Sequence, residues 1–159
     1  MNRTFENCTL LDTKTWFEKA VPEPSRKNFT TQLGVHYEEV AESLEELSSY
    51  YSEINTLISK AKAALEDLAS ALKADEDSVK VPTGYRADNF LDALCDQIVT
   101  ATGTGHMLGY DMVGAMTEVN RSNFSKFDEQ GNPIFNENRK IMKGENYTKP
   151  VLAPYLPQA

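Results

Sequence analysis

Residues 28 to 74 carry the strongest periodic pattern of the chain and read NFTTQLGVHYEEVAESLEELSSYYSEINTLISKAKAALEDLASALKA. Apolar side chains recur here in steps of three and four, and the stretch contains no proline and one glycine. This spacing is typical of amphipathic helices. Because the stretch is longer than a typical single helix, we expect two helices joined by a short turn near Ser48–Ser52, with one uninterrupted helix as the alternative.

The segments that follow predict further helices and no sheet. A proline and a glycine place a loop after the first stretch, and helical spacing resumes from Arg86 to about Gly109. A turn over residues 109–111 leads to a last helix, for which we expect the range 112–127. The sequence therefore predicts an all-α fold, a helical bundle.

The two ends of the chain depart from this pattern. Residues 1–27 contain a short amphipathic stretch and then Pro22 and Pro24, which break a helix, so we expect an N-terminal lead-in segment. Residues 128–159 are rich in Gly, Asn, Pro and Lys, which predicts an extended tail with room for a small hairpin. At 159 residues the chain has the length of a single domain.

The net charge of the chain limits the classes of partner that we expect it to bind. The chain has 24 acidic and 16 basic side chains, which gives a formal net charge of −8. Binding to a nucleic acid polymer or to an anionic membrane depends on clustered Lys and Arg, so we expect neither partner. A small polyphosphate remains compatible with an acidic protein when divalent cations mediate the contact.

The compartment is predicted from two further features. The N-terminal residues MNRTFENCTLLDTKTWF lack an apolar signal region, and no run of 18 apolar residues occurs in the chain. Cys8 and Cys95 lie far apart in the sequence, and we interpret Cys95 as a small core residue rather than half of a disulfide. We expect a cytoplasmic protein.

Two acidic clusters lie on predicted helices. Glu38, Glu39 and Glu42 belong to HYEEVAESLEEL, and Asp92 and Asp96 belong to NFLDALCDQIVTATGTG. Spacings of three and four place each cluster on one helix face, and the apolar neighbours predict that this face leans inward. Buried like charges repel and lose solvation. A counter-ion is therefore expected, and hard carboxylate oxygens suit Mg²⁺ or Mn²⁺.

A solvated surface is the alternative interpretation of the same clusters. A run of charge such as the first cluster, which Glu45 and Glu46 continue, more often marks a solvated helix face. The second cluster favours metal binding, because Asp is a poor mid-helix residue and Asp92 and Asp96 lie among apolar neighbours.

Two polar or glycine-rich stretches invite a nucleotide interpretation. NRSNFSK, residues 120–126, gathers amide, hydroxyl and ammonium groups that suit phosphate and sugar oxygens, although a polar helix end has the same composition. GTGHMLG, residues 103–109, has the spacing GxGxxxG without a preceding strand, which predicts close helix packing rather than a dinucleotide loop.

Three segments in this order resemble one superfamily: EEVAE (38–42), DALCDQIVTATGTGHMLGYD (92–111) and VNRSNFSKFDEQGNPIFNENRKIMKGENYTKP (119–150). The chain resembles the all-α nucleoside triphosphate pyrophosphohydrolases, which include MazG-like and phosphoribosyl-ATP pyrophosphohydrolase-like proteins. The short versions encoded by bacteriophages, including MazZ-like proteins, are the most similar. The resemblance covers residues 16–155 and implies a MazG-like helical bundle that forms a homodimer or homotetramer.

The function implied by the resemblance is Mg²⁺-dependent, with Mn²⁺ as a substitute. A (deoxy)nucleoside triphosphate, with a purine deoxynucleotide such as dGTP or dATP as first choice, would be converted to the monophosphate and pyrophosphate. A phage-encoded member would act in the host cytoplasm. The alternatives are a phosphoribosyl-ATP hydrolase and a non-catalytic helical protein whose acidic face binds a basic partner.

The resemblance also implies site residues. These are Glu38 and Glu39 as catalytic residues, Glu39, Glu42, Asp92 and Asp96 as metal ligands, and Asn123, Lys126 and Lys143 as nucleotide-binding residues. Glu38 is the preferred general base. The ExxD pattern of the family is not matched, because Ala93 stands three positions before Asp96 and Asn89 three before Asp92. One expected glutamate is therefore missing, and we expect Asp92 to substitute for it. Residues 53–80 are expected to be an insertion relative to compact members.

Overall fold

The structure, a computed structural model, describes residues 9–135 and 141–157. Cys8 and Lys140 of the tail lie outside these residues. The described helices are α1 (Thr9–Ala20), α2 (Arg26–Glu45), α3 (Ser52–Ala74), α4 (Tyr85–Met107), α5 (Met112–Phe124) and a 3-10 helix at Ala153–Tyr155. The described part of the chain has no strand, although isolated antiparallel bridges join Phe127 to Pro133 and Phe135 to Ile141. The all-α expectation is confirmed.

The chain divides into two compact units, which we call the hairpin unit and the terminal unit. The hairpin unit comprises residues 23–82, with α2 and α3. The terminal unit comprises residues 1–22 and 83–159, with α1, α4, α5 and the tail.

The break between α2 and α3 confirms two helices rather than one. Ser25 starts α2 with a reciprocal cap, in which its hydroxyl accepts a hydrogen bond from the Asn28 backbone and its own N–H donates to the Asn28 side chain. The turn after α2 is closed by Asn55, whose side-chain amide bonds the backbone N–H and carbonyl of Ser49 at 2.8 Å each. These bonds satisfy backbone groups that a continuous helix would have paired internally.

The terminal unit is built around α1 and α5. Asn120 of α5 is buried; its side-chain amide donates to the Thr9 carbonyl at 2.8 Å, and its Oδ1 accepts from the Thr13 hydroxyl at 3.0 Å. The Trp16 ring stacks on the Phe127 ring with centroids 5.9 Å apart. The lead-in segment thus contains a helix of three turns that forms part of the core of this unit.

Two expectations about helix ends and cysteine packing were wrong. The last helix ends at Phe124 rather than at residue 127, because Ser125 caps it and the Lys126 and Phe127 N–H groups donate to the carbonyls three residues earlier. Cys95 is a free and exposed thiol on α4 rather than a core residue. The expectation of close packing at GTGHMLG holds for Gly105, which is buried against the Met112 side chain, whereas a Cβ at Gly103 would meet nothing within 4 Å.

Candidate functional site

A recess on the hairpin unit gathers acidic side chains from both of its helices. Its volume is about 430 Å³ and its lining residues are Glu38, Glu42, Glu45, Glu46, Glu66 and Ser70. We call it the acidic recess. Glu38, Glu42 and Glu45 follow one another in steps of four and three along α2, and Glu66 and Ser70 are four apart on α3, so each helix offers one face.

Two lysines of α3 offset part of this charge. The Lys73 ammonium lies 2.6 Å from a carboxylate oxygen of Glu38. The Lys62 ammonium lies 2.7 Å from Glu66 and 2.9 Å from Glu45, and these hydrogen bonds, first that to Glu66, raise the pKa of Lys62. Five carboxylates against these two ammonium groups leave the recess with a net negative charge.

Close approach of α2 and α3 depends on Gly34, one turn before Glu38. Gly34 is buried, and a Cβ at this position would lie 2.7 Å from Cγ of Lys73 and 2.8 Å from the backbone carbonyl of Ala69. Any side chain here would push the helices apart. Gly34 therefore gives the Lys73 side chain room to reach Glu38.

The structure brings together two of the three predicted glutamates. Glu38, half-buried, and Glu42, exposed, both line the acidic recess, whereas Glu39 is exposed and is not one of its lining residues. The inward lean expected for the cluster holds in part for Glu38 alone, because small buried residues such as Gly34 and Ala41 occupy the face of α2 toward α3.

The predicted aspartates belong to the terminal unit. Asp92 and Asp96 are one turn apart on α4 and both are exposed, as are their apolar neighbours Leu91, Ile98 and Val99. The expected burial is therefore absent in the single chain. Across residues 9–135 and 141–157, no three acidic, His or Cys side chains are arranged so that they could hold a metal ion.

The predicted nucleotide-binding residues fall into two places. The Lys126 ammonium donates to Oδ1 of Asn123 at 2.8 Å and lies 5.7 Å from the centroid of the Trp16 ring, so these three residues form one cluster at the end of α5. Lys143 is exposed on the tail, with its ammonium 4.8 Å from the centroid of the Tyr147 ring.

The tail is held on α5 by hydrogen bonds to an ion pair of that helix, Glu118–Arg121, which sequence reasoning missed. Glu118 accepts two hydrogen bonds of 2.7 Å from the Arg121 guanidinium and one of 2.9 Å from the Val151 backbone. These bonds lower the pKa of Glu118 to about 2 and raise that of Arg121. Arg121 also donates to the Thr148 hydroxyl and the Lys149 carbonyl, so residues 148–151 lie along the helix.

Sequence reasoning also missed the part of the recess that α3 provides. Glu66, Ser70 and the two lysines all lie within residues 53–80, which were expected to be an insertion. The signal was present, because Lys62, Glu66, Ser70 and Lys73 follow one another at intervals of four, four and three and share a helix face.

Comparisons of the chain with protein families, with curated proteins and with solved structures found no match. Within the residues described here, no helix has both the length and the apolar character that crossing a membrane requires. The candidate site therefore rests on the geometry and charge of the chain's own residues.

Proposed function

We propose that the chain is a Mg²⁺-dependent nucleoside triphosphate pyrophosphohydrolase of the MazG-like class. Its substrate would be a (deoxy)nucleoside triphosphate, with dGTP or dATP as first choice, and its products the monophosphate and pyrophosphate. The observation that carries this proposal is the acidic recess, in which five carboxylates from two helices outnumber their ammonium partners. The ordered sequence segments that resemble the family support the same reaction.

The recess is lined by carboxylate oxygens, which are the type of ligand that Mg²⁺ and Mn²⁺ prefer. Of the metal ligands that the resemblance implies, Glu42 lines this recess, whereas Glu39 is outside its lining and Asp92 and Asp96 belong to the terminal unit. A bound cation would neutralise part of the phosphate charge and would lower the pKa of a bound water. Glu38 would accept the proton of the water that attacks the α-phosphorus.

The nucleotide would be held by the cluster at the end of α5. Asn123 offers an amide and Lys126 an ammonium group, and both suit sugar and phosphate oxygens. Their mutual hydrogen bond and the Trp16 ring fix the geometry of this pair before substrate binds. Lys143 of the tail would add a further ammonium group near the phosphates.

We propose a homodimer or homotetramer as the working assembly. The apolar residues Leu91, Ile98, Val99 and Met107 of α4 are all more than half exposed. Exposed large apolar side chains can mark interaction sites in soluble proteins. A second copy of the chain would cover this face.

The direct test is pyrophosphate release from a panel of dNTPs, NTPs and phosphoribosyl-ATP, with Mg²⁺, with Mn²⁺ and with EDTA. We expect cation-dependent release from one or two purine deoxynucleotides. Release from phosphoribosyl-ATP alone would assign the substrate differently while keeping the metal chemistry. The enzyme proposal would be contradicted if the folded protein released pyrophosphate from none of these substrates and Mn²⁺ did not change its melting temperature.

The competing function is a non-catalytic interaction protein, which the exposure of Glu39, Glu42, Asp92 and Asp96 favours. In that case these carboxylates would bind a basic partner. Glu42→Gln would then weaken partner binding and leave no catalytic defect to measure. Glu53→Gln, on an exposed part of α3 outside the recess, is the matched control.

A further inference from the structure

The hairpin unit buries too little apolar surface to have a core of its own. Among residues 23–82, all of which the structure describes, the buried hydrophobic residues are Ala41, Ala69 and Leu72. An amphipathic helix is stable when its apolar side is covered by another element. In a unit of two helices each helix has one neighbour, so further apolar side chains stay uncovered.

Along α2, a row of apolar side chains lies on the side of the helix away from the acidic recess. Gly34 lies against α3, and Glu38 and Glu42 lie in the recess. At about 100° per residue, the row is about a quarter turn from Gly34 in the direction opposite to the two glutamates. The row follows steps of four and three and consists of Leu33, Tyr37, Val40, Leu44 and Leu47.

A second row follows α3 in the same way. Ala69 and Leu72 are buried toward α2, and Glu66 and Ser70 lie in the recess. The row is about a quarter turn from Ala69 and Leu72, again in the direction opposite to the recess. It consists of residues that are all exposed: Ile54, Leu57, Ala61, Ala64, Leu68 and Ala71.

The two rows lie on the same side of the hairpin. Both helices line the acidic recess on one side of their contact, so the rows that point away from the recess share the other side. We call the two rows together the apolar face of the hairpin. Alternating steps of three and four are the spacing with which helices pack side by side in bundles.

We propose that the apolar face of the hairpin packs against the same face of a second copy of the chain and forms a four-helix bundle. The interface is separate from the α4 face proposed above, and two such interfaces would together give a tetramer. The inference does not depend on the proposed reaction.

The charge of the face identifies a second copy as the occupant. Neither row contains a charged residue. Two copies can therefore meet there across a two-fold axis without like-charge repulsion, although each chain has a net charge of −8. A strongly basic or acidic partner would find no opposite charge on this face.

The size of the face is also that of a stable interface. The 20 residues of α2 and the 23 of α3 make helices about 30 Å long or longer, which pack about 10 Å apart. A face about 30 Å by 20 Å, enlarged by the relief of its side chains, is close to the roughly 800 Å² that each partner buries in a stable complex.

The two rows complement each other in side-chain size. Large side chains form the row of α2, whereas Ala61 and Ala64 occupy the middle of the row of α3. Lys62 pairs with Glu45 within the hairpin, so Leu44 and Ala61 lie at the same level along the two helices. A two-fold axis parallel to the helices keeps this level and places Leu44 of one copy over Ala61 of the other, large against small.

The experiment measures the mass of the full chain by light scattering coupled to size-exclusion chromatography. Ala64→Glu is expected to raise the dissociation constant more than about 100-fold and to halve the mass of the assembly, because it would bury an unpaired carboxylate. Ala63→Glu is the matched control, since the neighbouring Ala63 is exposed on α3 outside the row, and it should keep the wild-type mass. Leu57→Gln replaces Ala64→Glu if circular dichroism shows that variant to be unfolded.

Cross-linking tests the packing of α2 on α3. Leu44→Cys and Ala61→Cys are made in separate proteins in which Cys8 and Cys95 are replaced by serine. After mixing and mild oxidation, we expect a disulfide between the two different proteins. Absence of this product, or its equal formation when Ala63→Cys replaces Ala61→Cys, overturns the bundle.

The remaining outcomes are equally decisive. A wild-type protein that is monomeric at about 100 μM overturns the inference and the proposed oligomer together, because stable interfaces of this size have a Kd of micromolar or lower. An assembly whose mass Ala64→Glu leaves unchanged overturns the hairpin interface and leaves the α4 interface standing. Equal loss of mass in Ala63→Glu also overturns the inference, since added charge alone would then explain the result.

Discussion

The indole Nε1 of Trp16 donates a hydrogen bond to the backbone carbonyl of Asn123, with 2.9 Å between the two atoms. This bond joins α1 to the end of α5, where the proposed nucleotide-binding pair lies. Since the Trp16 ring also stacks on Phe127, its face is already used for packing. The structure thus favours a packing role for Trp16.

Trp16→Phe is expected to destabilise the protein by about 1–3 kcal/mol, because the indole hydrogen bond to the Asn123 carbonyl is lost and the smaller ring leaves space beside Phe127. Urea denaturation followed by circular dichroism measures the change. Phe17→Leu serves as control, since Phe17 packs edge-on against Trp16 without a hydrogen bond of its side chain. An equal loss in both variants would show that the hydrogen bond contributes nothing measurable.

Gly34→Ala is expected to destabilise the hairpin unit by about 1–3 kcal/mol although alanine is the better helix former. The new Cβ would meet the Ala69 carbonyl, a backbone atom that cannot move aside without shifting α3. Thermal unfolding of the variant measures the loss.

Gly103→Ala is the matched control for this prediction, because it makes the same change inside α4 where a Cβ would meet nothing within 4 Å. We expect Gly103→Ala to raise stability by up to about 1 kcal/mol. A stabilised Gly34→Ala protein would contradict the close approach of α2 and α3.

The free energy of unfolding is expected to decrease as the pH is lowered through the range in which Glu118 becomes protonated. Its pKa is about 2 in the folded chain against 4.5 for an ordinary glutamate, so the folded state holds this carboxylate ionised. The stabilisation is fully present above pH 4.5 and is lost as the pH falls from there toward 2. Urea midpoints measured across this range should fall less steeply for Glu118→Gln than for wild type.

Glu53→Gln is the control for the pH prediction, because Glu53 is exposed on α3 and takes no part in the hydrogen bonds that Glu118 accepts. Asp128, whose pKa is lowered first by the Asn132 backbone N–H, also loses its stabilising bonds in acid. The Glu118→Gln protein should therefore retain part of the pH dependence, and Asp128→Asn should remove a further part. A wild-type slope in Glu118→Gln would contradict the assignment.

Asp92→Asn is expected to lower the rate of pyrophosphate release more than about 100-fold. Loss of a residue that only hydrogen-bonds to a metal ligand typically costs about 10- to 100-fold, so a larger loss would indicate a direct ligand. The folding stability of this variant should be unchanged or slightly higher, since a repulsion with Asp96 one turn away is removed. Asp88→Asn, also exposed on α4 one turn earlier, should leave release near wild type. Equal activity in both variants would remove Asp92 from the proposed ligand set.

The helical fold could be predicted because the apolar spacing of three and four is a local property of the sequence. The structure ends α2 at Glu45, close to the break that the sequence predicts. Asn55 and Ser49 make hydrogen bonds in this turn, and Ser and Asn are common in turns. The end of α5 was placed three residues too late, because NFSKF has no proline or glycine to mark where the helix stops.

The candidate site could be predicted on one helix and not across two. The α2 glutamates share a face by spacing alone, whereas Glu66 and Lys73 join them through the pairing of α2 with α3, which periodicity does not specify. The Glu118–Val151 contact spans 33 positions, and no local pattern announces a contact of that range. Contacts between distant residues depend on how the helices pack, and a single sequence does not specify which residues meet there.

The hydrogen bonds that tie Asn120 to Thr9 and Thr13 also bear on the order of folding. They join positions more than a hundred residues apart, whereas the hairpin unit is one continuous segment lying between them. Local contacts form faster than distant ones, so α2 and α3 can pair while the chain is still being synthesised. Once paired, they shorten the flexible chain that separates α1 from α5 and reduce the entropy lost when those helices meet. Early pairing of α2 and α3 would thus favour the later association of α1 with α5.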